Sequence, residues 1–217
     1  MHMSYREQDT FFAQAYRTGT DHWTNIPYNR RAHELALYVP KGALILDLGT
    51  GRGRLLFELA DLGFRAIGLE NGTDAVKRGN NRIKDRGLEK DIRFLEGTAL
   101  DIPLVDESFD AIADVGLLHH IKPEDYAAYV AETARVLKPG GFFFLVVLSK
   151  ITPNYLSWHP SKEESADFEQ EGVKYHFFGD DELKSLFAKD FDVRQLDYDH
   201  PYGPNGAAFA VVLLKKK

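Results

Sequence analysis

The stretch Leu46-Asp47-Leu48-Gly49-Thr50-Gly51-Arg52-Gly53-Arg54 constrains this chain more than any other. Residues 43–48 are apolar except for Asp47 and read as a buried strand that runs straight into glycines. Beyond the glycines, Leu55, Leu56, Leu59 and Leu62 recur at helical spacing. A strand passing through a tight glycine turn into a helix is the start of a βαβ unit, which puts a parallel sheet at the centre of the fold. The same turn is suited to ligands. Glycine lets the backbone approach a bound molecule without Cβ contacts, and the helix N-terminus offers unpaired N–H groups.

The rest of the chain continues the alternation. Arg65 to Leu69, Ile92 to Leu95, Asp110 to Val115 and Phe142 to Leu148 read as strands two to five, the last apolar on both faces and therefore central. Thr73 reads as the N-cap of the helix after strand two. Pro123 fits the first turn of a helix whose inner face is Tyr126, Tyr129, Val130, Thr133 and Leu137. That helix stops at Lys138-Pro139-Gly140-Gly141, where proline suits the second position of a turn and glycine a positive φ at the third. A further helix starts near Asp180, with Leu183, Leu186 and Phe187 inward, and residues 191–198 and 207–214 form a final strand pair. From Lys150 to Phe178 the periodicity fails, which predicts a lid or binding segment.

A length of 217 residues with 44% hydrophobic side chains predicts one domain, 1–217, with a full core. The chain has no cysteine, which excludes disulfides, zinc–thiolate sites and cysteine nucleophiles. A formal charge of −6 gives no global attraction to nucleic acid or to an anionic membrane, so neither is expected as a partner. No run approaches the ~18 apolar residues that cross a bilayer. The N-terminus lacks the apolar core of a signal peptide, and the expected location is cytoplasmic.

Dinucleotide enzymes hold a pyrophosphate on G-x-G-x-x-G. Here the glycines are spaced G-x-G-x-G, and Arg54 stands in place of the third dinucleotide glycine. A nicotinamide-dependent oxidoreductase is therefore the weaker reading. Glu70 ends the second strand, where a carboxylate can accept both hydroxyls of a ribose. Together, loop and glutamate predict a nucleoside-containing ligand without a pyrophosphate.

At this point the chain resembles the class I S-adenosylmethionine-dependent methyltransferases. The resemblance is carried in order by Ile45 to Gly53, by Gly68-Leu69-Glu70, and by Glu96 to Pro103 (EGTALDIP). Ser108 to Ile112 (SFDAI), Leu118-His119-His120 and Arg135 to Gly141 (RVLKPGG) complete it. It is dense over residues 40–150. It implies an α/β, Rossmann-like, doubly wound sheet of seven strands in the order 3-2-1-4-5-7-6, with strand 7 antiparallel. It also implies S-adenosyl-L-methionine as methyl donor and an enzyme that methylates a small molecule; a non-catalytic donor-binding module is the rival reading. By resemblance, Asp47 orients the donor's amino group, while Gly49, Thr50, Gly51 and Gly53 contact it through the backbone. Glu70 holds its ribose, Asn71 and the pair Thr98-Ala99 meet its adenine, and Val115 adds a main-chain contact. Asn71 replaces an apolar residue frequent in the family, and Thr98 an Asp or Asn.

The donor's sulfonium already activates the methyl group, so alignment is the main task, and an acceptor that carries a proton needs a base besides. His119 and His120 follow strand four at the carboxyl edge of the sheet; either could be that base, titrating near neutrality. The aromatic N-terminal segment, residues 1–40, is expected to cap the donor. Tyr16 is a candidate to face the sulfonium, and Tyr155 and Trp158 are candidates to shape the acceptor site from the segment 150–178. Asn25-Ile26-Pro27-Tyr28 matches a base-gripping motif of adenine methyltransferases. It lies before strand one instead of after strand four, and reads as coincidence.

Overall fold

The computed structural model describes residues 5–21, 29–152, 167–199 and 206–217. Tyr155, Trp158 and Asn25 to Tyr28 lie outside these. Among the described residues, six α-helices and nine strands follow in chain order: α1 (Arg6–Thr18), α2 (Asn29–Leu35), β1 (Leu44–Leu48), α3 (Arg54–Asp61), β2 (Arg65–Glu70), α4 (Thr73–Arg86), β3 (Ile92–Glu96), β4 (Phe109–Val115), α5 (Tyr126–Val136), β5 (Leu137–Leu148), β6 (Asp167–Gln170), β7 (Val173–His176), α6 (Asp180–Phe187), β8 (Phe191–Asp199) and β9 (Phe209–Lys216).

Seven strands form one sheet in the order β3-β2-β1-β4-β5-β9-β8. The first five are parallel, and β9 runs antiparallel to both of its neighbours. This is the expected order, with β8 and β9 as the sixth and seventh strands of the sheet. The sheet is doubly wound because its strands alternate. Phe143, Leu145 and Val147 of β5 pack with Tyr129 and Val130 of α5 and Leu183 and Phe187 of α6. Phe144 and Val146 of the same strand pack on the other face, with Leu35, Leu56, Leu59 and Ile83 of α2, α3 and α4. Burial on both faces explains the unbroken apolar run.

Local differences from the sequence reading have physical causes. Gly72, not Thr73, holds the N-cap position of α4, and the Thr73 hydroxyl donates to Glu96 Oε1 at 2.8 Å. Strand β5 begins at Leu137 and bulges over residues 138–141, where Gly140 takes φ +73° as the turn chemistry requires. Inside the segment 150–178, β6 and β7 form a hairpin that turns at Glu171 and Gly172, with Phe168 and Val173 buried. Four-residue strands are too short to leave a period in the sequence. Among the described residues no helix is long and apolar enough to cross a membrane.

Candidate active site

The order of the strands reverses between β1 and β4, and the crevice outside their carboxyl ends is where open α/β sheets bind ligands. A cavity of about 700 Å³ opens there, within the range of small-molecule sites. Gly49, Leu69, Glu70, Asn71, Thr98, Ala99 and Val115 line it together with Leu148, Tyr175, Ala207, Phe209, His119 and His120, and Gln8, Asp9, Phe12 and Tyr16 of α1 complete the wall.

Glycine-loop geometry follows from hydrogen bonds that cross from β1 to β2. Thr50 N–H donates to Leu69 O at 3.0 Å, and Gly51 N–H donates to Glu70 Oε2 at 2.9 Å. The other Glu70 oxygen accepts Gly72 N–H at 3.1 Å. The carboxylate is thus braced by backbone donors and keeps lone pairs for a ligand. The loop glycines do different work. A Cβ on Gly51 would stand 2.7 Å from the Tyr16 hydroxyl, and one on Gly53 would stand 2.3 Å from the Phe94 ring. Gly51 therefore lets α1 close over the loop, while Gly53 serves the packing of the core.

Three strand-end acids are buried here, Asp47 of β1, Glu70 of β2 and Asp114 of β4. Burial pushes Asp47 up to about 7, against a hydrogen bond of 2.5 Å from Thr50 Oγ1, and the charges of Asp114 and Glu70 add to the rise. Burial raises Glu70 as well, in spite of its backbone donors, and pushes Asp114 up to about 6. No cation pairs with Asp47 among the described residues. A ligand that brings positive charge would relieve these groups, and an ammonium and a sulfonium are cations of that kind.

Asp114 also shapes the turn after β4. It accepts Leu117 N–H and Leu118 N–H at 2.7 and 3.0 Å and the hydroxyl of Tyr129 on α5. That turn delivers His119 and His120, whose rings lie 4.3 Å apart. His119 is buried, and its Nδ1 accepts the backbone N–H of Leu148 at 3.3 Å. His120 is half-buried, and its Nδ1 lies 2.6 Å from the carbonyl oxygen of Lys174 on β7. Desolvation holds His119 well below the usual imidazole range and lowers His120 to about 4, although the Lys174 carbonyl works the other way. Both are neutral at pH 7. The expected titration near neutrality is not what this burial produces.

The cover is stitched down by side chains. Gln8 donates to His120 O at 3.1 Å and accepts Lys174 N–H at 3.0 Å, which binds α1, the histidine turn and β7 together. Asn71 donates to Asp9 at 2.7 Å. Arg52 clasps both carboxylate oxygens of Asp21 at 2.6 Å and reaches Tyr16 O at 2.8 Å.

Of the residues singled out in the sequence, Tyr16, Gly49, Glu70, Asn71, Thr98, Ala99, Val115, His119 and His120 meet at one cavity. Asp47, Thr50, Gly51 and Gly53 are not on its wall. Thr98 Oγ1 already accepts Leu100 N–H at 3.2 Å. Sequence reasoning missed Gln8, Asp9 and Phe209, which arrive from distant elements. It also passed over Asp114, whose one local signal was an acid inside an apolar strand.

Comparison with known proteins agrees with this geometry. Residues 45–141 match the family described as a methyltransferase domain. An uncharacterized methyltransferase of Synechocystis sp. is 30% identical over 139 residues, which cover 63% of this chain and 62% of that protein. A demethylmenaquinone methyltransferase of Thermus thermophilus is 36% identical over 120 residues, 54% of this chain and 52% of that protein. The chain therefore matches less than two thirds of the length of either relative. The crystal structure of the Burkholderia thailandensis 1,6-didemethyltoxoflavin-N1-methyltransferase superposes with a TM-score of 0.79 and 22% identity, covering 98% of this chain and 88% of that one. That structure holds 1,6-didemethyltoxoflavin and S-adenosylhomocysteine. In its strand order, its glycine loop and acidic strand ends, and the match of residues 45–141 to a methyltransferase domain, the chain is similar to the class I, Rossmann-like methyltransferases.

Proposed function

We propose that this protein transfers the methyl group of S-adenosylmethionine to a small-molecule acceptor bound beside His119 and His120. The observation that carries the reading is the set of buried carboxylates at the switch point, with no cation beside Asp47 among the described residues. Such a set is stable when a cationic ligand completes it. When bound, the donor supplies a methyl group already activated on a sulfonium. Glu70 takes the donor's ribose hydroxyls and the Gly49 backbone follows its chain, while Asp47, buried behind the wall, acts on the donor's ammonium through its charge and Thr50, Gly51 and Gly53 shape the loop. Asn71, Thr98 and Ala99 take the adenine, Val115 adds a main-chain contact, and Tyr16 closes over the sulfonium side. The acceptor lies between Phe12, Tyr175 and Phe209, where the rings exclude water. His120 Nε2 accepts the proton that the acceptor atom loses. The Burkholderia neighbour, whose structure holds a small molecule and S-adenosylhomocysteine, supports a small-molecule acceptor. Tyr155 and Trp158 remain candidates to complete the acceptor side.

Calorimetry tests the donor half of the reading. S-adenosylhomocysteine should bind at one site per chain, and NAD should not bind, because Arg54 replaces the third dinucleotide glycine. Tight NAD binding with no response to S-adenosylhomocysteine would overturn the reading. A screen of small metabolites for S-adenosylhomocysteine formation then identifies the acceptor.

A further inference from the structure

We propose that His119 and His120 read the acceptor as a fixed donor–acceptor pair, and that the molecule they select is a neutral, flat lactam or hydroxy-carbonyl compound, with its N–H or O–H beside a carbonyl oxygen. The proposal rests on the methyl-transfer reading above and names the acceptor class for that site.

The argument begins with the backbone. Strand β5 runs beyond the end of β4. The last bond between them on this edge is Gly116 N–H to Val146 O at 3.1 Å. Two residues on, the N–H of Leu148 faces the same edge with no strand carbonyl opposite, and His119 Nδ1 accepts it. A ring nitrogen that accepts carries no proton, so the proton of neutral His119 is on Nε2. His120 is placed in the opposite sense. Its Nδ1 meets the carbonyl oxygen of Lys174 at 2.6 Å, a carbonyl can only accept, and the proton is therefore on Nδ1. His120 Nε2 is left with a lone pair. Exchanging either tautomer would set two donors against each other at Leu148, or two acceptors at Lys174, and each exchange would lose a hydrogen bond.

Neither Nε2 has a protein partner among the described residues, and neither belongs to the buried atoms left unsatisfied. Both rings line the cavity. The wall thus offers one N–H and one lone pair on adjacent rings whose centroids lie 4.3 Å apart, close enough for one ligand to meet both. An anion would satisfy His119 and be repelled by the lone pair of His120; a cation would meet the reverse conflict. A neutral molecule with a donor and an acceptor side by side satisfies both. Aromatic edges frame it: Phe12 and Tyr175 stand 5.2 and 5.0 Å from His120, and Phe209 stands 6.4 Å from His119. This frame suits a flat ring. A shared metal ion does not suit the pair, because no third ligand joins it among the described residues.

The test uses the full chain labelled with nitrogen-15, first without ligand. Long-range proton–nitrogen spectra should show His119 as the Nε2–H tautomer and His120 as the Nδ1–H tautomer at pH 7. With S-adenosylhomocysteine bound, 2-quinolone (a flat bicyclic lactam) should move the Nε2 resonances of both histidines. N-methyl-2-quinolone, which lacks the donor, should bind about tenfold more weakly, the loss of one hydrogen bond. Identical tautomers in the two rings would overturn the proposal, as would no histidine response to 2-quinolone or equal affinity for the two quinolones. The S-adenosylhomocysteine titration in the same samples reports separately on the methyl-transfer reading. If it binds and the quinolones are not distinguished, only the donor–acceptor pair falls; if it does not bind while the tautomers are opposed, the methyl-transfer reading falls.

Discussion

Individual residues here do work that their type alone would not announce. Glu70 ends β2 at the sheet edge, so its loss should spare the fold and cost the ligand. Glu70→Ala should weaken S-adenosylhomocysteine binding by roughly 2–3 kcal/mol through lost charge-assisted hydrogen bonds. Calorimetry on a variant with wild-type circular dichroism checks this, and unchanged affinity would reduce Glu70 to a brace for Gly51. His120 separates from His119 in the same way. With His120 Nε2 as the proposed base, His120→Ala should lower turnover by ~10²–10⁴-fold with donor affinity nearly intact. Its imidazole is lowered to about 4, and the neutral form is the proposed base. Activity should therefore hold from pH 8 down to about pH 5 and fall only as pH approaches 4. A limb near pH 6.5, absent from the variant, would show a solvated imidazole instead.

At the scale of elements, the hairpin β6–β7 is the support for His120, since its Lys174 carbonyl sets the tautomer. The hairpin is anchored through His176, whose Nδ1 and Nε2 lie 2.9 and 2.6 Å from Asp167 and Glu182. Asp167 also pairs with Lys174 at 2.5 Å, and Lys150 reaches Glu182 at 3.5 Å. Burial works to lower His176, but the two carboxylates outweigh it and raise its pKa. Burial likewise works to raise Asp167, and the hydrogen bonds from His176 and Lys174 bring it down to about 2. A base raised in the folded state contributes stability that is present below its unfolded pKa and lost as pH climbs through the folded one. Hydrogen exchange of residues 167–176 should therefore speed up, beyond the intrinsic increase, as pH rises above neutrality. His176→Phe should remove that dependence. Flat protection from pH 6 to 9 in the wild type would show that apolar contacts of Phe168 and Val173 hold the hairpin without the ion pairs. Helix α1 is held differently, by the Arg52 clasp and the Gln8 bridge.

The whole molecule carries the cost of its acidic pocket. Asp47 and Asp114 are pushed up to about 7 and about 6, mainly by burial, from an unfolded value near 3.9. Between those values the folded state holds more protons than the unfolded one, so ligand-free stability should fall as pH rises from about 4 to 7. A bound ammonium favours the ionised Asp47 and opposes that fall. S-adenosylhomocysteine at 100 times its Kd should add about 2.7 kcal/mol, or roughly 5–10 °C in Tm for a chain of this size. The Tm shift at a fixed ligand concentration should be larger at pH 8 than at pH 5.5. Thermal scans at both values test this, and a shift independent of pH would mean that Asp47 is not coupled to the ligand.

Through the resemblance carried by its ordered motifs the sequence implied the strand order, and by itself it determined the parallel α/β class, the glycine loop and the acid that follows it. These are local signals: an apolar run buried on both faces, a turn that needs positive φ, and a charge at a strand end are each written within a few consecutive residues. Only the tertiary structure decided which loop glycine faces α1 and which faces Phe94, because Tyr16 and Phe94 reach the loop from other elements. It alone turned two adjacent histidines into opposite hydrogen-bonding partners. The reason is that a histidine tautomer is set by what meets Nδ1, and here the partners come from Leu148 and Lys174, 29 and 54 residues away along the chain. The hairpin that brings Lys174 has strands too short for periodicity. Contacts between distant segments are absent from any local pattern, and those contacts give the two histidines their opposite hydrogen-bonding senses.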